Sequence, residues 1–180
     1  MATLQVPATH WTTSRAGVVR RVGAFAADLV LVSVLVGATA WLVPRGVLLG
    51  PVDLATSLTT RNGWLVLQAI VGWGVNALWF VGGWSRGGAT QGQRLLGLQL
   101  VDPATGQLGL SVPRALLRWG LLVVPTSLAT TIGAWAPLTA AFVWALAGVW
   151  WAVLLVSTLR AGDGPALHDR IVGAEVRRVM

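Results

Sequence analysis

Long apolar segments constrain the fold of this chain more than any other feature. The clearest are residues 22–43, 64–83 and 138–159. A helix needs about 20 mostly apolar residues to cross the ~30 Å hydrocarbon core of a bilayer, and each segment meets that length. The sequence therefore predicts an integral membrane protein whose main contact is the lipid bilayer.

The composition favours the same class and argues against others. Of 180 residues, 55% are hydrophobic and 11% are charged, whereas a soluble domain carries about a quarter of charged residues. All thirteen basic residues are arginines, and they give a net charge of +7. Because these arginines are scattered between apolar segments and form no basic face, nucleic acid is not a predicted partner. The absence of cysteine excludes disulfides and thiolate chemistry.

A fourth segment, residues 115–134, is apolar but is interrupted by Pro125 and several threonines. If it spans the membrane and the N-terminus is cytoplasmic, eleven of the thirteen arginines lie on the inner side, as the positive-inside rule requires. Tryptophans at the predicted span ends agree, since indole rings favour the membrane interface: Trp41, Trp64, Trp84, Trp119 and Trp135. We therefore predict an all-α transmembrane bundle of four spans, with both termini cytoplasmic.

The remaining segments are short. Residues 1–19 are predicted to form a cytoplasmic tail, and residues 20–178 the transmembrane domain. Within 95–112, the Asp-Pro-Ala-Thr-Gly turn at 102–106 lies between alternating flanks, which predicts a small cytoplasmic β-hairpin. Residues 160–180 form a C-terminal tail, of which 171–179 has the pattern of a strand that could pair with the hairpin.

Asp28 is the most informative single residue, because it lies within the first apolar segment. It follows Arg21 by seven positions, or two helical turns, so both lie on nearly the same helix face. An ionised carboxylate at this depth is costly unless it is paired, hydrated or protonated. Two interpretations remain open: Asp28 marks an ion or proton path, or it pairs with Arg114 or Arg118 and only assembles the bundle.

No enzyme is predicted. The neighbouring residues His168 and Asp169 could shuttle protons, but no serine or cysteine nucleophile motif accompanies them. The only other histidine is His10, so neither a metal site nor a cofactor is expected. Gln68 and Asn76, both within the second span, either form hydrogen bonds between helices or line a polar path.

Three motifs together resemble the RDD family of bacterial membrane proteins, named for one arginine and two aspartates. They are RVGAFAAD at 21–28, GATQGQRLLGL at 88–98 and LHDRIVG at 167–173. The resemblance implies that Arg21, Asp28 and Asp169 are the naming residues. It also implies transport of unidentified ligands, and some members look like cation/proton antiporters.

The chain departs from the family pattern at two positions. Gln93 stands where a lysine is usual, and Gln99 where a basic residue is common. If that lysine contacts lipid headgroups or a substrate, the contact is lost here or passes to Arg94.

The sequence thus predicts a multi-pass protein of the bacterial cytoplasmic membrane that moves an ion or small solute. Asp28 would bind the cation or proton, and Arg21 would tune the charge of Asp28 or hold it closed by pairing. Asp169 would anchor the tail against Arg21, Arg114 or Arg118. Four spans are few for a transporter, so a homo-oligomer or a membrane partner protein is expected. Arginines on the inner side would attract anionic lipid headgroups. The alternative is a non-transporting scaffold or accessory subunit, in which these charges are structural.

Overall fold

The computed structural model describes residues 16–42 and 61–178, so most of the predicted N-terminal tail lies outside the described residues. The described chain forms long helices and a small antiparallel sheet, which confirms the predicted fold class. The helices are α1 (Val18–Leu42), α2 (Arg61–Arg86), α3 (Gln91–Leu95), α4 (Val112–Leu122), α5 (Val124–Trp135), α6 (Pro137–Ala161) and α7 (Leu167–Val172). The strands are β1 (Leu98–Val101) and β2 (Glu175–Arg178).

Helices α1, α2 and α6 are long and apolar enough to cross a membrane. Only 17%, 11% and 11% of their most apolar stretches are buried inside the protein. Large side chains such as Val30, Leu78 and Val149 point outward and are 63–77% exposed. Soluble proteins rarely expose contiguous apolar surface on this scale, so the surface is suited to lipid.

The predicted fourth span is a bent pair of helices, α4 and α5, whose axes differ by 54°. Pro125 has no N–H and cannot donate to the carbonyl of Leu121, four residues earlier, which interrupts the helical ladder. Trp150 of α6 satisfies that carbonyl through its indole N–H at 2.7 Å. By length and composition the described helices provide three spans, or four if the bent pair counts as one.

The small sheet joins the predicted hairpin region to the C-terminal tail. Strand β1 pairs with β2 in antiparallel register, from Leu98 opposite Arg178 to Val101 opposite Glu175. The turn at 102–107 forms as predicted, but its return side makes a single bridge, between Val101 and Leu108. Gly109 then turns the chain away with φ +88°, and Leu110 donates to the carbonyl of Trp84. The regular strand pairing is therefore with the tail.

The most deeply buried side chains lie where the helices meet a polar layer, defined as residues 87–111 and 162–178. Phe80 and Trp84 at the end of α2 pack there with Leu98, Leu100 and Val176 of the sheet. Trp84 lies near the end of α2, as predicted, but its side chain is 1% exposed and packs inside the protein. This core fixes the polar layer against the helix bundle and positions the site described below.

Candidate functional site

A cavity of about 350 Å³, here called the charged cavity, lies between the helix bundle and the polar layer. Its polar side chains come from α1, α3, α4, α6 and α7: Arg21, Asp28, Gln93, Arg118, Thr158, His168 and Asp169. The structure thus brings together five of the seven charged and histidine residues predicted for the site: Arg21, Asp28, Arg118, His168 and Asp169. Arg94 and Arg114 do not line this cavity.

Asp28 is 1% exposed and is held by three uncharged donors. The indole N–H of Trp79 at 2.9 Å and the backbone N–H of Gly92 at 2.8 Å both donate to Oδ1. The hydroxyl of Thr90 donates to Oδ2 at 2.5 Å. These hydrogen bonds compensate for the burial of the carboxylate. Among the described residues no arginine pairs with Asp28, so the predicted pairing is wrong.

The loop that binds Asp28 is shaped by its own short motif. Thr90 caps the N-terminus of α3, and its hydroxyl and the Gln93 side chain form a reciprocal capping box. Gly92 has no side chain, which lets its N–H reach α1: a Cβ there would overlap the carbonyl oxygen of Ala24 and lie 2.8 Å from Cγ of Asp28. The Thr-x-x-Gln spacing at 90–93 was a readable signal for this cap.

Asp169 forms a buried ion pair with Arg118. The guanidinium donates from Nε and Nη2 to Oδ1 at 3.0 and 2.9 Å, and the two side chains are 5% and 1% exposed. The guanidinium also lies 4.3 Å from the centre of the Trp84 ring, a cation–π geometry. Of the three arginines considered for anchoring the tail, Arg118 is therefore the one that binds Asp169. Oδ2 of Asp169 is buried and has no hydrogen-bond partner among the residues that the structure describes.

Arg21 contacts main-chain oxygens and not Asp28. Its two terminal nitrogens donate to the carbonyls of Gly164 at 2.7 Å and Asp163 at 3.1 Å, in the turn after α6. Its Nε is buried without a partner. Arg21 therefore joins α1 to the polar layer, and its side chain lines the charged cavity.

His168 is a neutral imidazole at the wall of the cavity. Burial lowers its pKa to about 4; Asp169 acts in the opposite direction, and Arg118 and Arg21 lower it further. Its Nε2 lies 3.5 Å from Oδ1 of Asp169, so we assign the ring proton to Nε2. Nδ1 is then a bare acceptor, and it is buried without a partner.

The remaining two predicted residues have other positions. Arg114 binds the C-terminal tail through two hydrogen bonds. Its Nε donates to the carbonyl of Val172 at 2.7 Å, and its Nη2 donates to the carbonyl of Gly173. It also pairs with Asp102 at 2.5 Å. Burial alone would raise the pKa of Asp102, but the Ala104 N–H and Arg114 lower it overall. Arg94 is exposed on α3.

A second cavity, here called the groove, has a volume of about 950 Å³ and runs along α1, α2, α5 and α6. Its walls are mainly apolar, with scattered polar side chains: Ser33, Gln68, Asn76, Thr126, Ser127, Thr130 and Thr131. The Asn76 amide donates to the carbonyl of Gly72 in its own helix at 2.9 Å. Gln68 and Asn76 both line this mainly apolar groove, so their place on a polar path stays a prediction.

The charged cavity and the groove share four apolar lining residues: Val22, Phe25, Leu122 and Trp151. The rings of Phe25 and Trp151 are 5.1 Å apart, and the Trp151 indole donates to Thr126 at 2.7 Å. We call this set the apolar partition. Sequence reasoning missed it because its members come from three helices and carry no motif.

Comparison with known proteins adds the family. The RDD family model matches residues 15–173. The chain belongs to the RDD family. No curated protein and no solved structure matches it. The three RDD naming residues, as the motifs assign them to Arg21, Asp28 and Asp169, all line the charged cavity. Within the described ranges, no group of three or more histidine or acidic side chains could hold a metal.

Proposed function

We propose that this RDD protein moves a small solute or ion across the membrane, with the charged cavity as its binding site. The observation that carries the proposal is a pair of adjoining cavities along α1. The charged cavity is lined by residues from Arg21 to Asp28 and the groove by residues from Val22 to Ala40, so their walls overlap between Val22 and Asp28. They meet at the apolar partition. A carrier needs a binding site within the membrane protein and a barrier between that site and the opposite side.

The geometry favours Asp169 over Asp28 as the solute-facing carboxylate. Every contact of Asp28 is made to neutral donors of the protein itself, so ion binding would require it to release one of them. Asp169 already has one oxygen without a partner. Asp28 then acts as a positioning residue, because it holds the loop that forms one wall of the cavity.

Transport is tested in proteoliposomes. A pH-sensitive dye inside the vesicles reports proton exchange against sodium, lithium or potassium gradients, and labelled solutes report uptake. Ala152 lines the charged cavity, whereas Ala141 of the same helix lines neither cavity. Flux is expected in the wild type and in Ala141→Leu but is expected to be lost in Ala152→Leu, which adds a larger side chain to the wall of the charged cavity. Undiminished flux in a folded Ala152→Leu variant would contradict the assignment of the site.

The same assay separates the two aspartates. Asp169→Asn is expected to abolish flux in protein that still elutes as a folded species. Asp28→Asn is expected to lower the amount of folded protein and to leave flux per folded molecule largely intact. The reverse pattern would return the ion-binding role to Asp28.

We place the polar layer on the cytoplasmic side of a bacterial plasma membrane. Apart from Arg61, the arginines in the described part of the chain belong to the polar layer or to the helix ends beside it. This distribution supports that orientation through the positive-inside rule. The same arginines are suited to anionic headgroups, and a homo-oligomer would supply the further helices that a closed pathway needs.

A second candidate function is a non-catalytic membrane scaffold or accessory subunit. The observation that favours it is the firm attachment of the polar layer to the bundle through Asp28, Arg114 and Arg118. A rigid surface of this kind suits a docking protein. Two results together would favour this function: folded wild-type protein shows no flux for any tested solute, and its polar layer captures a partner protein.

A further inference from the structure

We propose that the charged cavity binds a small amino carboxylic acid in its zwitterionic form, with an apolar side chain. This inference rests on the proposed function, because it names the substrate class of the same site. It is carried by the unpaired polar atoms, the charge balance and the apolar wall of that cavity.

Three buried polar atoms that have no partner within residues 16–42 and 61–178 belong to side chains that line this cavity. They are Nε of Arg21, Nδ1 of His168 and Oδ2 of Asp169. Buried polar atoms in proteins are almost always hydrogen-bonded. Asp169 is 1% exposed, so its free oxygen is not simply facing bulk water. Unmet polar atoms on three side chains that line one cavity indicate a ligand with polar groups.

The chemistry of the three atoms specifies both ends of a head group. Arg21 Nε is a cationic donor and suits a carboxylate, as charge-assisted hydrogen bonds do. His168 Nδ1 and Asp169 Oδ2 are acceptors and suit an ammonium group. A simple cation would leave Arg21 unsatisfied, and a simple anion would leave both acceptors unsatisfied. A molecule with both groups satisfies all three atoms.

The charge balance of the cavity also favours a zwitterionic ligand. Two arginines and two aspartates line the cavity, and His168 is neutral, so the formal charge of the site is zero. An inorganic ion would bring an uncompensated charge into a cavity with apolar walls, which is costly. A zwitterion adds no net charge.

The rest of the cavity wall suits an apolar side chain. It is formed mainly by large hydrocarbon groups: Val22, Phe25, Leu98, Leu122, Trp151, Leu154, Leu155 and Val176. A volume of about 350 Å³ lies at the small end of the range typical of ligand pockets, about 300–1,000 Å³. Leucine and phenylalanine are therefore the probes of choice.

Binding is tested with the full-length protein in nanodiscs by titration calorimetry with L-leucine and L-phenylalanine. Two single-headed analogues, 3-methylbutylamine and 4-methylpentanoate, each lack one charged group of leucine. Both are expected to bind at least about tenfold more weakly than leucine, because each leaves buried charged atoms unpaired. Equal affinity for leucine and either analogue would overturn the two-ended recognition.

A matched pair of variants locates the site. Gln93 is buried and lines the cavity, whereas Gln91 of the same short helix is exposed. Gln93→Lys would place a tethered ammonium in the cavity and is expected to abolish leucine binding. Gln91→Lys adds the same charge outside and is expected to leave binding unchanged. Equal binding by the two folded variants would contradict the location.

The outcomes also separate this inference from transport. Leucine binding without flux in proteoliposomes would support the zwitterion site and count against transport. Cation-driven flux without binding of either amino acid would support transport and overturn the zwitterion site. No binding by folded wild-type protein would mean that the cavity holds water only, which also overturns it.

Discussion

Gly92→Ala tests the contact on which the position of Asp28 depends. A Cβ at residue 92 would overlap the main-chain oxygen of Ala24 and lie 2.8 and 2.9 Å from Cγ and N of Asp28. Two of these three atoms belong to the backbone of α1, so no side-chain rotation relieves the overlap. The loop must instead move away from the helix, which breaks the hydrogen bond from residue 92 to Asp28.

The expected cost combines two terms. Forcing an extra methyl group into a packed interface costs about 1–3 kcal/mol. Loss of a hydrogen bond to a buried charged group costs a further ~1.5–3 kcal/mol. The remaining bonds to Asp28 from Thr90 and Trp79 limit the damage. We therefore expect Gly92→Ala to lower the free energy of unfolding by roughly 3–5 kcal/mol.

Gly82→Ala is the matched control, because the same atom is added with nothing within 4 Å of it. Gly82 lies inside α2, where alanine is a better helix former than glycine by about 1 kcal/mol. The same substitution should therefore lower the free energy of unfolding at residue 92 and raise it at residue 82. Unfolding can be followed by tryptophan fluorescence during titration with sodium dodecyl sulfate in mixed micelles.

The result that would refute the reasoning is specific. Neutral surface substitutions usually change the free energy of unfolding by less than about 0.5 kcal/mol. If Gly92→Ala changes it by no more than this, the close approach of residue 92 to α1 has no energetic role. A destabilised Gly82→Ala would show instead that any added methyl group is harmful.

Three further predictions concern the ion pair, the bent helix and pH. The double variant Arg118→Met, Asp169→Leu should be more stable than either single variant, by about 2 kcal/mol, because each single change leaves a buried group unpaired; simple additivity in a double-mutant cycle would contradict this. Trp150→Phe removes the donor to the Leu121 carbonyl and should lower the free energy of unfolding by about 1–3 kcal/mol in the same titration; an unchanged midpoint would count against it. Because the pKa of His168 is about 4 in the folded protein and near 6.5 in an unfolded chain, only the unfolded chain gains a proton as the pH falls between those values. Stability should drop over that window by roughly 3 kcal/mol, and His168→Leu should remove this pH dependence.

The membrane-spanning architecture could be predicted because the bilayer imposes it. A span of about 20 apolar residues is required by hydrocarbon thickness alone, and α1, α2 and α6 satisfy it within one or two turns of the predicted ends. The bend in the fourth segment could not be predicted from Pro125 alone. A proline within a span is tolerated when another helix satisfies the freed carbonyl, and here the partner, Trp150, comes from a different helix that the sequence does not place nearby.

The sequence predicted which residues form the site but did not predict their hydrogen-bond partners. Motif order identified Arg21, Asp28 and Asp169, and the structure places all three at one cavity. Their partners depend on tertiary contacts across 51 to 143 positions of sequence. Periodicity places a side chain on a helix face, but it does not say which of several arginines or neutral donors will face it.

The two buried aspartates differ in a way that explains why charge alone was a poor guide to their roles. Both are 1% exposed, so both must be compensated by hydrogen bonds or opposite charge. Asp28 receives three donors that between them reach both of its oxygens, which makes it a fixed part of the scaffold. Asp169 receives its donors on one oxygen, and its other oxygen has no hydrogen-bond partner among the described residues. A fully satisfied carboxylate gains little from a ligand, whereas a half-satisfied one gains a hydrogen bond. Asp169, the second aspartate of the RDD set, is therefore the carboxylate that we propose for ligand binding.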